Sequence, residues 1–100
     1  MRERRLVYAP AAQSDLVEIH AFIATVSSDE IASGYIDRIE AYCATFALAA
    51  ARGALRDDLL PGLRIVGFER RITIAYRLDD ETVTFLRFFY GGQDWENAFE

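Results

Sequence analysis

The stretch of residues 63–92, LRIVGFERRITIAYRLDDETVTFLRFFYGG, restricts the fold more than any other part of the chain. It predicts three short antiparallel strands at about residues 63–67, 70–78 and 82–90, the last two joined by a polar turn at residues 79–81. The second strand alternates between apolar and polar residues, whereas the third is apolar on both faces. An antiparallel sheet in a small two-layer protein normally exposes one face to water. The third strand therefore predicts that something also covers the second face of the sheet.

A first helix is predicted after a short strand at residues 4–9, because Pro10 ends the extended segment and fits the first turn of a helix. From Ala11 onward, apolar residues recur every three or four positions, which indicates one buried stripe. Asp15 and Glu18 are expected on the opposite face of this helix. The predicted stripe consists of Ala12, Leu16, Ile19 and Ile23, widened by Phe22 and Val26.

A second helix is predicted to begin at residues 27–30, where Ser27 and Glu30 have the spacing of a capping box. Apolar positions continue in steps of three and four until Gly53, which supplies a C-terminal stop, so this helix should be about 23 residues long. The short break between the helices predicts an antiparallel helical hairpin. Residues 55–62 are expected to form a connecting loop.

The order strand, helix, helix, strand, strand, strand predicts a single α+β domain over residues 1–100. Its helical hairpin should pack on one face of a small, mainly antiparallel four-stranded sheet. The hairpin can cover only one face, so Trp95 and Phe99 of the C-terminal tail are expected to fold back over part of the other. A partner chain is the other natural cover for large apolar side chains.

Composition limits the classes of function. No apolar run is long enough to cross a membrane, no secretory signal is evident, and the single cysteine, Cys43, suits a reducing cytoplasm. The net charge of −5 argues against broad affinity for nucleic acid, and all the cationic side chains are arginines. His20 and Cys43 both adjoin apolar stripes and are interpreted as structural residues. No spacing of ligand residues indicates a metal site, and no motif indicates a cofactor.

One catalytic possibility remains open at this point. A ribonuclease that needs no metal can be built from arginines that hold the phosphate and tyrosines that act as acid or base. The absence of lysine and the acidic C-terminal tail argue against it. The residues available for such a site are Arg64, Arg70, Arg77, Arg87, Tyr76 and Tyr90.

Five short motifs occur in a specific order and spacing along nearly the whole chain: PAAQSDLVEI at residues 10–19, IDRIE at 36–40, RDDLLPGLR at 56–64, IAYR at 74–77 and FLRFFYGGQD at 85–94. With these motifs the chain resembles the toxins of the ParE/RelE superfamily, from type II toxin–antitoxin modules, on the ParE branch that includes plasmid stabilisation proteins. The absence of lysine and the tail GGQD at residues 91–94 distinguish it from the RelE branch, whose members use basic residues, often lysines. Tyr90 departs from the ParE branch, where many members have histidine.

The resemblance implies a non-enzymatic toxin of the cytoplasm that inhibits DNA gyrase and is neutralised by a ParD-like antitoxin. The antitoxin's C-terminal segment would wrap the helical hairpin and the sheet. The alternative, implied by the RelE branch, is an endoribonuclease that cuts mRNA on the ribosome. Neither function requires a metal, a cofactor, a membrane, or specific DNA binding by this chain itself.

An arginine-rich groove is expected to pair with acidic residues of the antitoxin tail. Arg87 in particular lies in an apolar strand, where an unpaired charge would be costly, so it should pair with a carboxylate or face the partner. The expected contact residues for the antitoxin or the target are Arg64, Arg70, Tyr76, Arg77, Arg87, Phe88 and Tyr90.

Overall fold

The computed structural model describes residues 3–99, in which two α-helices and five strands form the framework. Two short 3₁₀ helices, at Thr45–Ala47 and Trp95–Phe99, supplement this framework. The main elements are β1 (Arg5–Tyr8), α1 (Pro10–Val26), α2 (Asp29–Ala44), β2 (Ala54–Leu55), β3 (Arg64–Phe68), β4 (Ile72–Leu78) and β5 (Thr82–Tyr90).

The sheet has the strand order β1-β5-β4-β3-β2, with β1 parallel to β5 and every other pair antiparallel. The α+β class and the helical hairpin on a mainly antiparallel sheet are confirmed, but the predicted count of four strands is wrong. The fifth strand, β2, lies at the start of the segment predicted as a loop and pairs with β3. Gly53 precedes it with φ +72°, and a Cβ there would clash with the Ile65 carbonyl oxygen. Gly53 therefore permits a close approach of two backbones instead of ending a helix.

Helix α1 begins with Pro10 in its first turn, as predicted, and buries one stripe against the sheet. Two details of the predicted helix are wrong. Phe22 and Val26 are exposed, so the buried stripe is narrower than expected. Asp15 is buried, only 7% exposed, although it was expected on the solvent-facing side.

The break between the helices lies one residue later than predicted. Ser28 is the N-cap of α2, and its hydroxyl accepts a hydrogen bond of 3.1 Å from the Ile31 backbone N–H. Ser27 instead ends α1, where its hydroxyl donates to the Ile23 carbonyl oxygen. The capping role assigned to Ser27 is therefore wrong.

Helix α2 is 16 residues long, shorter than predicted, and is followed by the 3₁₀ turn. The Arg52 side chain donates to the carbonyl oxygens of Ala49 and Thr45, at 2.6 and 2.9 Å. Its guanidinium also lies 3.9 Å from the centre of the Phe46 ring. Arg52 thus satisfies carbonyl groups that a continuing helix would have bonded internally.

The main core lies between the helical hairpin and one face of the sheet. Aromatic rings form its centre, with Phe46 packed edge-to-face against Tyr76 and Phe85 at centroid distances of 5.0 and 5.5 Å. Its fully buried large side chains include Ile39, Phe46, Ile74, Tyr76, Val83, Phe85 and Phe88.

A second, smaller core covers the opposite face of the sheet. Leu63, Ala75 and Phe89 are buried there, and the partly buried Trp95 and Phe99 pack against them from the C-terminal tail. Leu59 and Leu60, from the segment between β2 and β3, add to the same cluster. The predicted return of the tail over the second face is confirmed.

Candidate interaction site

A β-bulge explains why β5 is apolar on both faces. Tyr76 pairs with Phe85 and Ala75 pairs with Arg87, so Leu86 is an extra residue without a partner in β4. The extra residue shifts the alternation, and Phe85 and Phe88 both join the helix-side core. Leu86 packs against the second core instead. One strand therefore supplies large side chains to both cores.

Asp15 and Arg87 form the polar centre of the site, between α1 and the C-terminal half of β5. The Asp15 Oδ2 accepts hydrogen bonds from the Arg87 Nε at 2.7 Å and from the Phe88 backbone N–H at 2.9 Å. Its Oδ1 accepts a third bond, from the Arg87 Nη2 at 3.0 Å. The hydrogen bond to the Asp15 carboxylate raises the pKa of the Arg87 guanidinium. The prediction that Arg87 pairs with a carboxylate is confirmed.

The same carboxylate protects a sheet edge. Strand β1 ends opposite Phe85, and no other strand in the described part of the chain pairs with the rest of β5 on that side. Asp15 binds the Phe88 N–H there, and the Gln93 side-chain oxygen accepts a 2.8 Å bond from the Tyr90 N–H. Side chains thus replace the missing strand at two successive outward N–H groups.

A cavity of about 450 Å³ lies beside this edge and is lined by both apolar and charged side chains. Phe22 and Tyr90 form one wall, with ring centroids 5.6 Å apart. Asp15, Glu18 and Arg87 add polar groups to the lining. The mixture suits a protein segment better than a purely apolar ligand.

The structure distributes the predicted contact residues instead of gathering them into one groove. Arg64 lies on the helix side, opposite Tyr76 in the register, and its Nη1 donates to the Arg52 carbonyl oxygen at 3.3 Å. Arg77 is exposed on the other face, where its Nε would lie 3.7 Å from a Cβ added at Gly62. Arg70 is exposed in the turn between β3 and β4, with φ +62°.

Two of the expected contact residues belong to the main core. Tyr76 is 0% exposed, and its hydroxyl lies 2.8 and 2.6 Å from the carbonyl oxygens of Ala50 and Arg52. Phe88 is also buried. The interpretation of these two side chains as surface contacts is wrong, because the bulge in β5 turns Phe88 toward the helices and Tyr76 is directly opposite Phe85. Tyr90 is half-buried and lines the cavity described above.

The two candidate reactive residues have structural surroundings. The His20 Nε2 lies 3.1 Å from the Ser33 hydroxyl and links α1 to α2. Burial raises the pKa of the Cys43 thiol to about 11. Within residues 3–99, no group of His, Cys, Asp and Glu side chains could hold a metal ion. Neither of the two α-helices described is long and apolar enough to cross a membrane.

The sequence interpretation missed Asp15, although its position carried a signal. Asp15 lies three residues after Ala12 and four before Ile19, both members of the buried stripe. A carboxylate at such a position needs a cationic partner, and Arg87 was the cation in an apolar strand. Together, the buried carboxylate and the charge in an apolar strand would have predicted that Asp15 of α1 pairs with Arg87 of β5.

The fold and the site define a class: a small α+β protein with a helical hairpin on a mixed sheet, whose polar groups serve structure and whose apolar surfaces suit a partner. Its fold is shared with a chain described as "Chromosomal ParDE TA system from P. aeruginosa", with a TM-score of 0.77 and 22% sequence identity. The match covers 89% of this chain and 97% of that chain. A comparison with curated proteins finds no significant match.

A family model described as "ParE toxin of type II toxin-antitoxin system, parDE" matches residues 6–95. The match spans both helices and all five strands except the first residue of β1. The chain therefore belongs to the ParE toxin family of type II toxin–antitoxin systems. The resemblance inferred from the five motifs is confirmed.

Proposed function

We propose that this ParE toxin inhibits DNA gyrase and is neutralised when a ParD-like antitoxin binds it directly. The observation that carries the proposal is the match of the ParE toxin family model to residues 6–95. The similar fold of a chain from a ParDE system supports the same pairing of toxin and antitoxin. Gyrase acts on chromosomal DNA, so the proposal places the toxin in the cytoplasm.

The side-chain environments favour action by binding over action by catalysis. Tyr76, which was one candidate acid or base, has its hydroxyl committed to backbone carbonyl oxygens inside the core. Arg87, one candidate phosphate ligand, is committed to Asp15. These contacts argue against the alternative of an mRNA endoribonuclease, because a catalytic group must reach its substrate.

The surface offers apolar groups that a partner could cover. Among residues 3–99, six large apolar side chains are more than half exposed, four of them on the two helices. Burying a few such side chains is enough to anchor a complex between proteins. The six are Val17, Phe22, Val26, Ile31, Leu48 and Leu55.

Part of the predicted contact set remains proposed for the partner surface. Arg70 and Arg77 are exposed, and Arg64 and Tyr90 are half-buried, so all four can meet a partner. Their positions on different faces of the sheet fit an antitoxin segment that wraps around the toxin. The net charge of −5 makes direct, specific DNA binding by this chain unfavourable, and the antitoxin supplies any DNA contact.

A supercoiling assay tests the proposed target. Purified toxin, separated from its antitoxin, is added in excess to gyrase and relaxed plasmid. Supercoiling should stop, and toxin mixed beforehand with the antitoxin should leave it intact. Unchanged supercoiling in excess toxin would show that gyrase is not the target. Primer extension on mRNA from induced cells tests the alternative of an endoribonuclease, since only a ribonuclease leaves cuts at codon positions.

A further inference from the structure

The turn between β3 and β4 has an unusual backbone conformation. It consists of residues 68–71 and is closed by a 3.1 Å hydrogen bond from the Arg71 N–H to the Phe68 carbonyl oxygen. Its two central residues, Glu69 and Arg70, have φ values of +50° and +62°. A turn with positive φ at both central positions normally contains glycine, asparagine or aspartate there, because longer side chains are strained in that region. The glutamate and the arginine therefore occupy this turn at a cost in stability.

Contacts on two sides hold the turn in place. The Arg38 side chain of α2 donates two hydrogen bonds, of 3.0 and 3.1 Å, to the Glu69 carboxylate. The Arg71 carbonyl oxygen accepts a 2.7 Å hydrogen bond from the Gly91 N–H, directly after β5. The turn is thus tied to the helical layer and to the neighbouring end of the sheet. Its salt bridge also gives Glu69 a structural reason to be there.

No salt bridge within residues 3–99 gives Arg70 such a reason. Its side chain is exposed and pairs with no carboxylate of another described residue. The same is true of the Arg71 side chain. A residue that stays in a strained conformation without an internal gain is typical of a functional position. The strain at Arg70 therefore indicates a contact outside the chain.

The charge of the turn defines what kind of partner fits. Arg38 neutralises Glu69, so Arg70 and Arg71 present two uncompensated positive charges at one projecting point. Planar guanidinium groups of this kind suit carboxylates on a partner protein. The net charge of −5 for the whole chain works against a continuous polyanion such as DNA. An acidic protein surface is therefore the better match.

We propose that the β3–β4 turn is a contact site for gyrase, where Arg70 and Arg71 bind acidic side chains on the surface of that enzyme. A fixed projection suits a folded partner, since little conformational freedom is then lost on binding. An antitoxin segment that wraps around the toxin adapts its own shape and has no need of a strained turn. This inference rests on the proposed function. It assigns Arg70 to the target, whereas the contact set predicted from the sequence did not separate target from antitoxin.

The charge contact is tested with Arg70→Gln and Arg71→Gln, each of which removes one charge and keeps a long polar side chain. Toxin freed from its antitoxin is titrated onto immobilised gyrase without DNA, and separately into a ParD-like antitoxin. Each variant should bind gyrase about tenfold more weakly, the equivalent of one lost hydrogen bond to a charged group, and the antitoxin with unchanged affinity. Arg5→Gln is the matched control and should bind gyrase like wild type, because Arg5 is exposed on β1, at the opposite edge of the sheet.

The cost of the turn is tested with Arg70→Asn, because asparagine tolerates positive φ better than arginine does. The melting temperature of the free toxin should rise by about 2–5 °C, while gyrase binding weakens as in Arg70→Gln. Such a variant would be more stable and less active at once. An unchanged or lower melting temperature would show that Arg70 is not strained at the expense of stability, which removes the reason for an outside contact.

The outcomes separate this inference from the proposed function. If wild-type toxin inhibits gyrase and both glutamine variants bind gyrase equally well, the contact site is wrong while the function stands. If wild-type toxin neither binds nor inhibits gyrase, both are wrong. If the glutamine variants lose affinity for the antitoxin and not for gyrase, the turn contacts the antitoxin. If they lose affinity only for gyrase loaded with DNA, the arginines contact phosphate groups. Either of the last two results overturns the proposal.

Discussion

At the scale of single residues, Asp15 connects the helical layer to the sheet. One carboxylate accepts three hydrogen bonds from β5, two from the Arg87 guanidinium and one from the Phe88 backbone. Asp15 is buried, whereas the Arg87 side chain is 34% exposed. The arrangement neutralises a charge inside an apolar strand and occupies the open sheet edge at the same time.

We expect Asp15→Ala to lower the free energy of unfolding by about 2–4 kcal/mol, because it leaves Arg87 and the Phe88 N–H without their acceptor. Arg87→Ala should have a similar effect, since it leaves the buried carboxylate unpaired. The double variant should be less destabilised than the sum of the two, as expected for residues in direct contact. Urea denaturation of the three variants measures this coupling, and strictly additive effects would contradict the pairing.

Alkaline pH should destabilise the protein through buried acids that stay protonated in the fold. Burial raises the pKa of Cys43 to about 11, and also raises the pKa values of Tyr8, Tyr35 and Tyr76. Such groups stabilise the fold below their unfolded pKa values, and the contribution is lost as the pH rises toward the folded values. The melting temperature should therefore fall between about pH 9 and pH 11, and less steeply in Cys43→Ala. A constant melting temperature over this pH interval would show that these buried groups do not make stability depend on pH.

The sequence predicted that Arg87 needs a partner but did not predict which one. The requirement is local, since it follows from a charge among apolar neighbours. The partner lies 72 residues away in the chain, and only the packing of α1 on β5 brings the two together.

At the scale of secondary structure, the two adjacent serines between the helices have different capping roles. Ser28 begins α2 and Ser27 ends α1. Ser28→Ala should therefore lower the free energy of unfolding by about 1 kcal/mol, because the Ile31 N–H loses its acceptor. Ser27→Ala should cost clearly less, since its hydroxyl only donates to the Ile23 carbonyl oxygen. Thermal denaturation of both variants measures the two losses of stability. A larger loss in Ser27→Ala would contradict the assignment of the N-cap to Ser28.

The strands were more predictable than the end of α2. Strand β5 begins and ends at the predicted residues, because hydrophobic alternation bounded by a polar turn and two glycines defines it locally. Strand β2 has only two residues, too few for any pattern. Helix α2 was predicted too long because Phe46 and Ala50 keep the helical spacing of buried residues after the helix has ended. The bulge at Leu86 depends on pairing with β4 and has no local signature.

At the scale of the whole molecule, the C-terminal tail completes the protein's second core. Phe99 packs edge-to-face on Phe89 with ring centroids 6.2 Å apart. The Arg56 guanidinium lies 5.3 Å from the Trp95 ring and forms a 2.8 Å salt bridge with Glu96. The tail therefore covers the face that the helices leave open.

Removing residues 95–100 should destabilise the protein by about 2–4 kcal/mol and expose Leu63 and Phe89 to solvent. Binding of the dye ANS and the sedimentation mass of the free toxin measure the exposed surface. Both should increase in the truncated toxin, whereas Asn97→Ala, which keeps the aromatic side chains, should resemble wild type. A truncated toxin with wild-type stability and no dye binding would show that the tail is dispensable.

We propose that this toxin is held inactive by a directly bound antitoxin. The most direct test is the growth of a bacterial culture in which the chain is induced alone or together with a ParD-like antitoxin. We expect growth to stop when the chain is induced alone, and to continue when both proteins are induced and recovered as one complex. Normal growth with folded chain alone, or arrest that the second protein does not relieve, would contradict it.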